Sequence, residues 1–99
     1  MLVNWFNASA AKEFGVNLAE FYLVRVTVEG EDKSAKFVEK KHKNLLAKMT
    51  LQINQFKAQN KLNIYKKAQL GNVFKWRLLE AGFDRDYVNQ ITNWLMRNF

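Results

Sequence analysis

Not one proline interrupts these 99 residues, and only four glycines do, at positions 15, 30, 71 and 82. Proline removes a main-chain donor and stops helices, and glycine loosens them, so a chain poor in both has few places to turn. Side-chain spacing agrees. Ala11, Phe14, Leu18, Phe21, Arg25 and Val28 follow one another at three and four residues, which is one face of a helix. The pattern predicts an all-α fold, a bundle of about four helices in a single domain, residues 1–99.

The first helix is expected over about 8–28, with Asn7 or Ser9 as its N-cap. Val24, Val26 and Val28 alternate as in a strand, but no second strand offers itself as a partner, and a lone strand leaves its own backbone unpaired. Glu29-Gly30-Glu31-Asp32 reads as a turn, with Asp32 capping the next helix. That second helix is expected from 33 to about 59. At about 100° per residue, Val38, Leu45, Leu46, Met49, Ile53 and Phe56 share an arc of roughly 100°, and Lys36, Lys40, Lys43, Lys57 and Lys61 fall opposite. Phe37 and Leu51 lie on the lysine side. Either another segment crosses there, such as the N-terminal one with Trp5 and Phe6, or the two form an exposed apolar spot for a partner.

The stretch NKLNIYKKAQLGNVFKW interleaves lysines with Tyr65, Phe74 and Trp76. Its apolar residues lose phase with the second helix, so a break near 60–63 and a third helix over about 62–81 are expected. Leu70, Phe74 and Leu78 then form one stripe, and Ile64, Ala68 and Leu79, with Tyr65 and Trp76 beside them, form another. A helix apolar on two sides is central, so the rings read as core and the lysines as solvated stems between them. Gly71 suits close approach by another helix. In LLEAGFDRDYV, Gly82 fits the left-handed residue that ends a helix, Phe83 folds back on it, and Asp84 caps a fourth helix from 85 to about 97.

The helix, glycine turn and helix over 70–95 superficially resemble a helix-turn-helix, a junction common to many small helical domains, ubiquitin-associated ones among them. The resemblance would make 85–97 a recognition helix. That helix sets Arg85 and Arg97 against Asp84 and Asp86, little net charge for duplex phosphates.

Catalytic chemistry finds few parts. Cysteine is absent, which excludes disulfides, thiolate zinc sites and cysteine nucleophiles. His42 is the only histidine and falls in the apolar arc, where a structural imidazole is expected. Ser9 and Ser34 sit at expected helix starts, Asp84 and Asp86 at another, and no glycine-rich phosphate loop occurs. No enzyme, metal or cofactor is expected. No run of about 18 apolar residues suggests a membrane span, and 1–5 lack the features of a signal peptide, so a cytoplasmic protein is expected.

The net charge of +7 is concentrated. Residues 33–77 hold twelve Lys or Arg against Glu39 alone, while 1–32 sum to −3 and 78–99 to −1. The expectation is a non-catalytic module for a protein partner or self-association, using Phe37, Leu51 or the aromatic ends Trp5 and Phe99. The alternative is non-specific nucleic-acid binding through Lys36, Lys40, Lys43, Lys57 and Lys61, joined by Lys33, Lys66 and Lys67, since lysine attracts phosphate without reading bases.

Overall fold

The computed structural model describes residues 6–99, so Trp5 lies outside the described residues. Among the described residues the fold is four α-helices, as expected, with no strand. They are α1 (Ser9–Val28), α2 (Lys43–Gln59), α3 (Ile64–Glu80) and α4 (Arg85–Arg97), with a single 3-10 turn, Glu39–His42, leading into α2.

The helix ends show why the chain turns where it does. Gly30 (φ 76°) and Gly82 (φ 97°) both adopt the left-handed conformation. Around Gly82, the N–H of Phe83 bonds to the Leu78 carbonyl and that of Gly82 to the Leu79 carbonyl, the expected Schellman end. Around Gly30 the pattern repeats, with Glu31 bonded to Val26 and Gly30 to Thr27. The Asn63 and Asp84 side chains cap α3 and α4. α1 has no side-chain cap; Ser9 instead donates its N–H to Asn7 Oδ1.

The expected helix from 33 is corrected. Residues 33–38 are not helical, because that segment straps the α3–α4 corner. The Lys33 carbonyl accepts the Asp84 N–H at 2.8 Å, and Lys33 Nζ donates to the Ala81 carbonyl at 2.6 Å. The first bond uses a carbonyl that a helix from 33 would need for itself. Asp32 caps no helix; its Oδ1 takes the N–H and hydroxyl of Ser34. In the extended stretch, alternation turns Phe37 inward against Tyr87 (ring centroids 5.5 Å) and leaves Val38 49 % exposed.

α1 and α3 run parallel. Phe6 meets Tyr65, Gly15 meets Leu70 and Val73, and Glu20 pairs with Arg77, so position rises together on both helices. This rotates α1 from its expected face. Gly15, Ala19, Tyr22 and Val26 are buried at its centre, whereas Val28 faces solvent. α2 runs antiparallel to α1, with Phe14 stacked on Phe56 at one end and Tyr22 against His42 at the other. α4 returns along α3, and Met96 packs on Gly71 far from the turn. Side-by-side packing makes an αα-hairpin, not the steep crossing of a helix-turn-helix.

Leu70, Phe74 and Leu78 of α3 meet Tyr87, Val88, Ile91 and Leu95 of α4 and Met49 and Ile53 of α2 in one core. Thr92 Oγ1 is the one buried side-chain polar atom without a hydrogen bond among the described residues. Thr92→Val removes that unmet demand at nearly constant volume. Urea unfolding is expected to show a gain of about 1 kcal/mol.

Candidate functional site

Glu31 owes its position to the helix end before it. It occupies the place after Gly30 that Phe83 occupies after Gly82, so the turn folds its side chain back over α1. A ring needs nothing there beyond packing. A carboxylate needs partners, and the fold supplies them. His42 Nε2 donates to Oε2 at 2.6 Å, Tyr87 Oη donates to the same oxygen at 2.9 Å, and Lys41 donates to Oε1. Tyr22 closes the chain through a hydroxyl-to-hydroxyl bond with Tyr87.

The side chains of Glu31 and His42 are 2 % and 1 % exposed. Burial alone would raise the Glu31 carboxyl, but the hydrogen bonds from Lys41, Tyr87 and His42 outweigh it and hold it below its ordinary value. Burial drives the hydroxyls of Tyr22 and Tyr87 well above theirs, and the Glu31 charge adds to both shifts. The cluster ties α1, the 3-10 turn and α4 together around one enclosed negative charge. His42 is buried, as expected, but in the 3-10 turn against a carboxylate and not in an apolar arc of α2, and nothing in the spacing of the sequence linked it to Glu31.

The five lysines expected to form one helical face do not share a helix. Lys36 lies in the connection before the 3-10 turn, Lys40 within that turn and Lys61 beyond α2; only Lys43 and Lys57 belong to α2. Fourteen residues of helix separate those two by about 21 Å. The exposed side of α2 instead carries Ala47, Leu51, Asn54 and Ala58, with Lys48 beside this line. Four of the five therefore form two groups, and Lys36 belongs to neither. Lys40 and Lys43 border a cleft that also holds Glu39, while Lys57 and Lys61 border another at the α2–α3 corner together with Lys67.

Phe37 is not a free apolar spot. It is half-buried, with its ring stacked on His42 at 5.8 Å, and the strap segment itself explains its burial. Leu51 is 65 % exposed. Phe99 packs partly against the core. Trp76 overturns the reading of α3 as apolar and buried on two sides: it is 60 % exposed and Ile64 is 85 % exposed. Only the Leu70, Phe74 and Leu78 stripe is core, because neighbouring helices cover that side alone.

Asp84 accepts the Asp86 N–H, a capping bond, and no cluster of three or more His, Cys, Asp or Glu among the described residues is placed to hold a metal. No helix among them is long and apolar enough to cross a membrane. Comparison with known proteins returns no matching family model, no matching curated protein and no matching solved structure.

Proposed function

We propose that this chain is a small non-catalytic helical module that binds another protein, a second copy of itself included, through the outward side of α3. The observation that carries the reading is Trp76, a large ring in mid-helix left 60 % exposed. Ala68 and Ile64 are exposed on the same helix, and Leu79 is half-buried. Tryptophan is enriched among the few interface residues that supply most binding energy, because docking removes so much apolar surface from water. Leu51, between Ala47 and Ala58 on the ridge of α2, offers a second, smaller contact.

Sedimentation velocity over a wide concentration range tests self-association. The wild-type chain is expected to grow in mass with concentration. Trp76→Ser is expected to weaken association by about 2 kcal/mol, roughly thirtyfold, with an unchanged helical spectrum. Each copy carries +7, so added salt screens the repulsion and tightens the complex. A strict monomer at every concentration and salt level overturns self-association, and Trp76→Ser indistinguishable from wild type overturns the assigned face.

A further inference from the structure

We infer that the corner between α2 and α3 is a grip for single-stranded nucleic acid, in which Lys57, Lys61, Lys66 and Lys67 neutralise phosphates and the clefts beside them receive bases. Such a grip is independent of protein docking through Trp76.

Charge concentrates toward this corner. From Lys40 to Leu79 the chain has ten Lys or Arg and not one Asp or Glu. At the α2–α3 corner the fold gathers four of those lysines, and none is paired with an Asp or Glu among the described residues. Lys57 donates to the Asn98 carbonyl at 3.0 Å and Lys67 to the main-chain oxygen of Phe99 at 3.1 Å. An ammonium has three donors, so each retains two, along with its full charge. Among the described residues the side chains of Lys61 and Lys66 make no such bond. The first turn of α3 contains no acidic residue.

The lysines at the other end of α2 differ. Glu39 stands among them, and Glu31 neutralises Lys41.

Shape favours an unpaired strand. Two clefts, of about 480 and 360 Å³, flank residues 60–62 and share Asn60, Lys61 and Leu62. The larger adds the amides of Asn7 and Gln59, the ring of Phe56 and Lys66. The smaller adds Lys57, Lys67 and the ring of Phe99. Amides can pair with base edges, and rings can stack on bases only where the bases are not already stacked in a duplex. The cations also bend around a corner, which a flexible strand can follow.

Fluorescence anisotropy of labelled oligouridine and oligothymidine, titrated at several salt concentrations, tests the grip. Four neutralised phosphates give a slope of log affinity against log salt near −3, from about −0.7 per contact on single strands. The triple variant Lys61→Gln, Lys66→Gln, Lys67→Gln is expected to bind at least about tenfold more weakly and to flatten that slope by about 2. The control Lys36→Gln, Lys43→Gln, Lys48→Gln removes the same charge elsewhere and is expected to stay within about threefold of wild type. Trp76→Ser is expected to leave oligonucleotide binding unchanged.

Equal losses in the two triples overturn the inference, since binding would then reflect diffuse charge. So does the absence of binding at low salt, or duplex DNA competing as well as the single strand. Tighter retention on phosphatidylserine–phosphatidylcholine vesicles than on oligonucleotide replaces the strand with an anionic surface and also overturns it.

Discussion

Glu31→Ala is expected to destabilise the protein by about 3–5 kcal/mol, the range for removing one member of a buried charged network. A domain of this size has roughly 5–15 kcal/mol in all, so the variant should lose a large share of its stability. The loss comes from what is left behind. His42 Nε2 and Tyr87 Oη each aim a donor at the vacated position inside the protein, and Lys41 loses its counter-charge. Glu31→Gln keeps the shape but presents an amide where two oxygens accepted, so an intermediate loss of about 2 kcal/mol is expected. Urea unfolding with an unchanged slope measures both. A loss under about 1 kcal/mol for Glu31→Ala would show that the cluster does not hold the helices together.

Acid tests the same group by another route. The folded protein holds the Glu31 carboxyl below its ordinary value of 4.5. A depressed carboxyl contributes stability that is fully present above the unfolded value and is lost as pH falls through the folded one. Wild-type stability should therefore fall as pH drops below about 4.5, and the gap between wild type and Glu31→Gln should close with it. A gap that stays constant down to acid pH would mean that the Glu31 charge is not what the donors stabilise.

The parts of the fold legible in the sequence are those set by local rules. Gly82 and Phe83 announce the α3–α4 junction because left-handed glycine followed by an apolar residue is a local arrangement. Asp84 names the start of α4, and the stripe of Leu70, Phe74 and Leu78 names the buried side of α3. The same rule applied at Gly30 finds Glu31. A charged residue at the position that the motif fills with an apolar one signals a buried carboxylate, and His42, Lys41 and Tyr87 are the partners it requires. The acidic neighbours Glu29 and Asp32 hide that signal, since a cluster of acids suits an ordinary exposed turn equally well.

The departures from the expected fold have a common cause, which is that a helical wheel reports periodicity and not neighbours. Residues 33–38 carry a helix-compatible pattern, but the α3–α4 corner uses their main chain, so the lysine face inferred from a continuous helix divides into two groups. Trp76 shares a wheel position with apolar residues, yet no element among the described residues covers that side. For the candidate surfaces, charge concentration between 33 and 77 is plain in the sequence. Its gathering around 60–62 depends on how α2 and α3 meet, which no local pattern encodes.

Gly15→Ala should lose about 2–3 kcal/mol even though alanine is the better helix former by about 1 kcal/mol. A Cβ at position 15 would stand 2.5 Å from Val73 Cγ2 and 2.6 Å from the Leu70 carbonyl oxygen. The first neighbour is a side chain and can shift. The second is backbone in the middle of α3, so relief requires the parallel helices to separate along the core they share. Gly71→Ala is the matched comparison, because its Cβ would meet only the flexible end of Met96, at 2.8 Å. It should be close to neutral, as the gain in helix propensity offsets a small rearrangement. Val73→Ala introduced into Gly15→Ala removes the side-chain clash but not the carbonyl, so it should recover no more than part of the loss. If Gly15→Ala unfolds at the same urea concentration as wild type, or a higher one, α1 and α3 do not touch at Leu70, and the close parallel pairing that turns Tyr22 into the core is wrong.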